Sequence, residues 1–178
     1  TNAIGTSAAS AASNSVVPVV PGVGSFYGGG VVFYIFQSGD SGYVAGETHG
    51  LIAAVEDQSS GIQWYNGSYG TIGTASAIGT GSANTDAIIA AQGATETSYA
   101  AGLARAYTGG GYADWFLPSK DELNKMFYYE AEINTTATAN GGSIFVPSYY
   151  WSSTQSSYNY AWEQDFYSGI TDYSNKSL

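Results

Sequence analysis

The sequence predicts an α+β domain with short antiparallel strands and two to three helices. Residues 115–123 combine the end of a strand, a proline stop and the start of a capped helix. Two tryptophan-centred stretches, 150–154 and 161–166, have the β-branched, aromatic and polar composition of strands. Helix and strand signals therefore occur in one chain, and we expect the two tryptophan strands to close a core over the helix.

The composition divides the chain into two parts. Residues 1–24 are small and uncharged and include Pro18 and Pro21. A segment of this composition cannot form a hydrophobic core of its own, which indicates a stalk or linker. Residues 25–178 are richer in aromatic and β-branched residues and are long enough for one folded domain. The stalk is interpreted as a flexible tail, and the alternative is packing into a shaft with other chains.

The first predicted elements of the domain are strands. Residues 31–36 form a β-branched and aromatic run after three glycines, and residues 49–54 form a second apolar run. The glycines are not a phosphate loop, because they precede the strand and no Lys-Ser/Thr pair follows. Residues 63–65 are a third strand candidate, and the Gly, Ser and Thr content of residues 66–83 indicates a long surface loop.

Three helices are predicted in the middle of the chain. Residues 85–92 end before Gly93, and residues 99–107 follow two possible capping residues. The third helix covers residues 120–132. Ser119 immediately precedes this helix and Glu122 lies in its first turn. Their spacing is that of a capping box, in which each side chain bonds the other residue's backbone N–H.

The last strand shows period-two alternation. Tyr160, Trp162, Gln164 and Phe166 alternate with Ala161, Glu163 and Asp165, which predicts that the aromatic set faces inward and the acids outward. Five apolar side chains from the predicted faces are expected to form the central core: Leu117, Leu123, Phe127, Trp151 and Trp162.

Charge excludes several classes of partner. Charged residues make up 10% of the chain, against roughly 25% in typical domains, and the net charge is −10. The basic residues are Arg105, Lys120, Lys125 and Lys176. Four scattered cations make no patch for a polyanion, so nucleic acid, sulfated glycans and anionic membrane surfaces are disfavoured. No apolar run reaches the ~18 residues that a membrane helix needs, so membrane insertion is not expected.

Catalysis is not expected either. The chain has no cysteine, and His49 is its one histidine; no Gly-x-Ser-x-Gly elbow accompanies it. Glu163 and Asp165 have glycosidase-like chemistry, but the sequence shows no groove or shifted pKa around them. We interpret the acids as surface groups that maintain solubility.

Two aromatic loops are the best candidates for ligand binding. The first contains Trp64, Tyr65, Asn66 and Tyr69, and the second contains Tyr158 and Asn159. Aromatic faces stack on the C–H surfaces of sugars while amide and hydroxyl groups bond sugar hydroxyls. The alternative interpretation is that Trp64 belongs to the core and Tyr65 to a turn.

Four segments resemble a known family. They are residues 29–35, residues 49–59, residues 114–123, and the pair 150–154 with 161–162. Together they resemble the Lcl C-terminal domain family, also called the Fibrobacter major paralogous domain, over roughly residues 26–170. That family is similar in fold to C-type lectins and to the formylglycine-generating sulfatase-modifying proteins. The resemblance implies a C-type-lectin-like domain.

The resemblance also implies a function and an assembly. Members of the family act as adhesins at the exposed tips of bacterial surface or fibre proteins, and the collagen-like adhesin among them forms glycan-binding trimers. We therefore expect a non-catalytic tip domain on a bacterial surface or phage fibre, a homotrimer that recognises a glycan or host-surface receptor. The alternative is a structural module that caps a fibre, binds protein and trimerises the chain.

The resemblance to C-type lectins suggests a calcium site, because C-type lectins often bind calcium. The sequence lacks the Glu-Pro-Asn and Trp-Asn-Asp signatures of lectin calcium sites. Residues 38–42 match no complete EF-hand loop. No cofactor is therefore predicted as a requirement, and Asp40 and Glu47 are the candidate ligands if calcium binds.

Overall fold

The structure is a computed structural model that describes residues 20–93 and 97–178. The stalk predicted for residues 1–24 lies outside the described residues except for 20–24. Gly24 is already part of the domain, because its N–H donates to the carbonyl of Val32 at 2.8 Å and its own carbonyl accepts from the Thr136 hydroxyl at 2.7 Å.

The first three strands form one antiparallel sheet. They are β1 (Phe26–Tyr27), β2 (Gly30–Ile35) and β3 (Gly50–Ala54), in the order β1-β2-β3. A register shift interrupts the β2–β3 pairing between Val32 and Tyr34. The two strands predicted at this end of the domain are confirmed, and β1 is an addition that is only two residues long.

The last three strands form a second antiparallel sheet. They are β4 (Tyr149–Gln155), β5 (Tyr160–Asp165) and β6 (Thr171–Asn175), in the order β4-β5-β6. Both tryptophan-centred strands are confirmed. The strand proposed at residues 63–65 is wrong, because Trp64 is fixed instead by a single backbone bond from its N–H to the carbonyl of Lys176 at 2.9 Å.

The described residues contain four α-helices, which confirms the α+β class and corrects the expected two to three. They are α1 (Gly81–Gln92), α2 (Ala100–Ala106), α3 (Lys120–Tyr128) and α4 (Glu130–Ala139). The helix predicted over residues 120–132 divides at Tyr129, where φ is −106° and ψ is 19°. On either side of this division, α3 packs mainly on β5 and α4 packs on β2. None of the helices in the described part of the chain is long and apolar enough to cross a membrane.

The predicted capping box opens α3. The Glu122 N–H donates to the Ser119 hydroxyl at 3.3 Å, and the Ser119 N–H donates to the Glu122 carboxylate at 2.7 Å. Glu122 is fully buried and also accepts from the Gly79 N–H at 2.7 Å. Burial raises the pKa of this carboxyl, and the backbone donors oppose that rise. The cap therefore joins α3 to the loop before α1.

The core consists of two clusters. The first lies between β2, β3 and α4: Val31, Phe33, Leu51, Ala53, Ile133 and Ala137. The second lies between α1, α2 and β5: Trp64, Ile72, Ile88, Tyr99, Ala101 and Ala161. Of the five residues expected at the centre, Leu123 is fully enclosed, and Leu117 and Trp151 pack against the second cluster. Phe127 and Trp162 are only half-buried.

The alternation predicted along β5 is wrong for the acids and for Tyr160, whereas Gln164 and Phe166 are buried as predicted, at 1% and 4% exposed. Glu163 and Asp165 are each 8% exposed, whereas Tyr160 is 40% exposed. The acids are tolerated because Ser174 donates to Glu163 at 2.6 Å, and Ser168 and the Tyr167 N–H donate to Asp165 at 2.6 and 2.8 Å.

The extent of α3 explains why the aromatic face of β5 is buried at one end and open at the other. Its Asn124 side chain donates to Gln164 at 3.0 Å, so the helix covers the Gln164 end of the aromatic face and leaves the Tyr160 end open.

Candidate functional site

The centre of the candidate site is a buried lysine over a buried tryptophan. Trp64 is 0% exposed, and its indole N–H donates to the Ser152 carbonyl at 2.8 Å. Lys176 Nζ lies 4.7 Å from the centroid of the Trp64 ring. Trp64 therefore presents no face to a ligand. The prediction that it stacks on a sugar is wrong, and the alternative that it belongs to the core is confirmed.

Lys176 holds the two aromatic loops together. Its Nζ donates to the Gly70 carbonyl at 3.0 Å and to the Tyr158 carbonyl at 2.9 Å. The residue is 0% exposed, and burial lowers the pKa of its ammonium from the ordinary 10.5 to about 8. Two carbonyls and an aromatic face thus solvate the cation in place of water, and the loops at 66–70 and 156–159 become neighbours.

Three tyrosines from these loops form one cluster, which we call the tyrosine cluster: Tyr65, Tyr69 and Tyr158. The Tyr65 and Tyr69 rings stack with centroids 4.7 Å apart, and the Tyr69 and Tyr158 rings lie 6.3 Å apart. Tyr69 is 37% exposed and Tyr158 is 57% exposed. The structure thus brings together side chains that are distant in sequence and that we had predicted separately.

Hydrogen bonds within the cluster fix its orientation. The Tyr69 hydroxyl donates to the Asn175 side chain at 2.7 Å. Burial raises the pKa of the Tyr65 hydroxyl, as does its hydrogen bond with Tyr69. The Tyr65 phenol is therefore neutral near pH 7 and can donate as well as accept.

The two predicted asparagines have different environments. The Asn66 N–H and Nδ2 both bond Gln92, at 2.9 and 3.2 Å, and its Oδ1 accepts from Ser98 at 3.1 Å. These bonds attach the first loop to α1, so Asn66 positions Tyr65. Asn159 is exposed beside Tyr158, and its backbone carbonyl accepts from the Lys176 N–H at 3.0 Å.

A further aromatic group, not predicted as a site, lies on the outer face of the second sheet. The Trp162 and Tyr173 rings are 5.4 Å apart, and the Tyr160 and Tyr173 rings are 5.7 Å apart. Lys120 Nζ lies 4.6 Å from the Trp162 centroid. Residues 171–175 were not predicted as a strand. Tyr173 within them is the sequence signal that could have indicated this aromatic group.

The candidate calcium ligands are not brought together with other acids. Asp40 accepts from the Tyr34 hydroxyl at 2.9 Å and from the Gln37 N–H at 2.7 Å, which makes it a turn residue. Glu47 pairs with His49 at 2.7 Å on an exposed surface. Within residues 20–93 and 97–178, no group of three or more His, Cys, Asp or Glu side chains is placed to hold a metal ion.

A separate groove of about 1410 Å³ runs between the two sheets. Its apolar wall includes β3, Trp115 and Trp151. In the described part of the chain β3 pairs only with β2, and no other backbone hydrogen bond reaches Gly50–Ala54. Five acids also line the groove: Glu56, Asp57, Asp114, Glu163 and Asp172. Burial raises the pKa of both Asp57 and Glu163.

Comparison with known proteins gives one match. The model of the Lcl C-terminal domain family matches residues 53–178, which begins later than the resemblance seen in the sequence. No curated protein and no solved structure matches the chain. The likeness to C-type lectins therefore stays a prediction.

Proposed function

The chain belongs to the Lcl C-terminal domain family, and from this membership we propose that it is a non-catalytic adhesin or receptor-binding domain that recognises glycan. Its place would be the exposed tip of a bacterial surface protein or a phage fibre, outside the cell. The observation that carries the proposal is the tyrosine cluster, in which exposed rings from two loops meet on one surface.

The chemistry of the cluster suits a sugar. Tyrosine offers a large rigid face at a low cost in side-chain entropy, and its hydroxyl bonds polar groups at the rim. The cation beneath the cluster, Lys176, is buried and already bonded to two carbonyls. An anionic glycan would therefore find little positive charge at this surface, and the net charge of −10 would repel it. The proposed ligand is neutral.

The contacts of Asp165 and His49 support a binding role rather than hydrolysis. Asp165 is engaged by Ser168, and His49 is bonded to Glu47 at an exposed site. These contacts are those of structural and surface groups.

A glycan array tests the proposal. The wild-type chain and Tyr158→Ala are applied to neutral and acidic glycans, with and without calcium. Tyr167→Ala is the matched control, because Tyr167 is 82% exposed and lies at the β5–β6 turn. We expect neutral hits that Tyr158→Ala loses and Tyr167→Ala keeps, in either calcium condition. The absence of any hit, or equal binding by both variants, contradicts the proposal.

The groove favours a second candidate, an assembly module that binds protein. Small-molecule pockets measure roughly 300–1,000 Å³, so a groove of about 1410 Å³ with an unpaired strand edge suits an extended peptide better. Five lining acids and no lining Lys or Arg among the described residues favour a basic partner. The occupant that fits is a strand from another protein, with apolar and basic side chains in alternation.

A capped peptide that alternates valine and arginine tests this candidate. It should bind the wild-type chain, and methylation of alternate amides along one edge should abolish binding while methylation along the other edge does not. Glu163→Gln should weaken binding, whereas Glu132→Gln, a change on an exposed face of α4, should not. Equal binding by both methylated peptides would rule out strand pairing.

A further inference from the structure

The aromatic group on the second sheet forms a row across two strands. Trp162 and Tyr173 are direct partners in the β5–β6 pairing, and Tyr160 is diagonal to Tyr173. Their rings meet edge to face, at interplanar angles of 83° and 78°. We call these three residues the sheet row. Tyr160 is 40% exposed and Tyr173 is 50% exposed, so the row is open to solvent.

The sheet row continues from the tyrosine cluster. Asn175 is the β6 partner of Tyr160, and it lies two residues from Tyr173. Residues two apart on a strand share a face, so Asn175 lies on the same face as the row. The Tyr69 hydroxyl donates to this Asn175 side chain. Tyr69 therefore reaches the row at its Tyr160 end.

The far end of the row is bounded by α3. Lys120 begins that helix and lies over the Trp162 ring, and Asn124 reaches Gln164 further along β5. The open surface consequently runs in one direction, from Tyr65 and Tyr158 across Asn175 to Trp162. The helix limits it there.

We propose that the tyrosine cluster and the sheet row form one elongated surface for a linear neutral oligosaccharide, with different sugar units on the two groups. This inference rests on the proposed glycan function and specifies its ligand as a chain rather than a terminal sugar. Stacking faces at both ends and hydroxyl and amide groups between them match the alternation of apolar faces and hydroxyls along such a chain.

A length dependence follows from this geometry. A short sugar engages one group of rings, whereas a longer chain engages the second group without a new loss of translational freedom. Affinity should therefore rise with the number of sugar units until both groups are covered. A site that holds only a terminal sugar would bind short and long chains equally.

The test uses the complete chain and three linear neutral series: cello-, xylo- and manno-oligosaccharides from disaccharide to hexasaccharide. Calorimetry measures Kd for the wild type, Tyr158→Ala, Tyr173→Ala, Tyr173→Phe and Tyr167→Ala. For at least one series we expect the wild-type Kd to fall by about tenfold with length, which is about 1.4 kcal/mol. Tyr173→Ala should keep the disaccharide affinity and lose the gain, and Tyr173→Phe should keep both. Tyr167→Ala should behave as the wild type.

The outcomes separate this inference from the proposed function. Binding without a length gain, or an equal gain in Tyr173→Ala, overturns the elongated surface and leaves the tyrosine cluster as a sugar site. Loss of both short and long binding in Tyr158→Ala supports the cluster as the primary contact. No binding to any of the three series overturns the elongated surface for such chains, and the absence of hits on the glycan array separately contradicts the proposed function.

Discussion

At the scale of single residues, Lys176 determines the geometry of the candidate site. It is buried with no carboxylate partner in the part of the chain that the structure describes, and its ammonium is bonded to carbonyls of both aromatic loops. The sequence had shown Lys176 only as one of four scattered cations. Nothing in its neighbours indicates burial, because the Trp64 ring and the Gly70 carbonyl that receive it are more than a hundred residues away in sequence.

The lowered pKa of Lys176 predicts how stability depends on pH. The folded chain releases this proton near pH 8, whereas the unfolded chain retains it to about pH 10.4. Between those values the unfolded state binds more protons, so the free energy of unfolding rises with pH. We expect a rise of about 1 kcal/mol between about pH 8 and about pH 9.5, below the ionisation of most tyrosines.

Denaturant unfolding of the wild type and Lys176→Met at several pH values checks this prediction. The variant should be less stable and should lack the rise, while the matched Lys125→Met should keep it, since Lys125 is not buried. The same pH profile in the wild type and Lys176→Met would show that another group titrates.

The capping box gives a second prediction at this scale. Ser119→Ala should cost about 1 kcal/mol through the lost helix cap. The capping-box pattern alone predicts a smaller cost for Glu122→Ala, because the reciprocal bond of such a box usually lies near solvent. The structure buries Glu122 and gives it the Ser119 and Gly79 N–H groups as donors, so we now expect about 3 kcal/mol, because buried donors lose their acceptor. Thermal unfolding of both variants checks this prediction. A larger loss of stability in Ser119→Ala than in Glu122→Ala would contradict the role of Glu122 as a buried acceptor.

At the scale of elements, sequence patterns predicted a helix or strand correctly where the residues that determine it are neighbours in the chain. The capping box, the strand runs at β2 and β3, and the tryptophan strands β4 and β5 all appear in the structure. The break at Tyr129, the burial of the β5 acids and the exposure of Tyr160 were missed. All three depend on which surface a neighbouring element covers, and the alternation of β5 has the same period whichever face is buried.

The contact between two glycine turns predicts a difference between neighbouring substitutions. Gly110 has φ of +65°, and a Cβ there would meet the Gly28 carbonyl and the Gly29 Cα. Gly111 has φ of +81° but open space around it. Gly111→Ala should cost about 1 kcal/mol of backbone strain, and Gly110→Ala should cost clearly more, since it also separates the turns. Equal melting temperatures for the two variants would contradict this packing.

At the scale of the whole molecule, the sequence predicted the α+β class and indicated two aromatic loops, but it did not show which loop residues face outward. Trp64 and Tyr65 are adjacent, yet one is enclosed by Lys176 and Ser152 while the other stacks on Tyr69. The two aromatic loops indicated a ligand-binding surface rich in tyrosine. Its location required the β6 pairing that places Asn175 beside Tyr160.

The homotrimer stays a prediction at this scale. Family resemblance indicates three chains, and closed cyclic symmetry is usual for identical subunits. Each chain carries a net charge of −10, but exposed charges more than about 8 Å apart are largely screened at physiological salt. Sedimentation of the complete chain should give a trimeric mass that added salt maintains or strengthens. A monomer at micromolar concentration would contradict the prediction.

The central claim is that sugar binds on the tyrosine cluster, and the most direct measurement is an NMR titration of the wild-type chain with the strongest array hit. Intermolecular NOEs report which protein protons lie against the sugar C–H groups. The account predicts NOEs from the sugar to the ring protons of Tyr65, Tyr69 and Tyr158, with none to the groove residue Trp115. A sugar that binds and shows its NOEs only to the groove or to Tyr167 would contradict it.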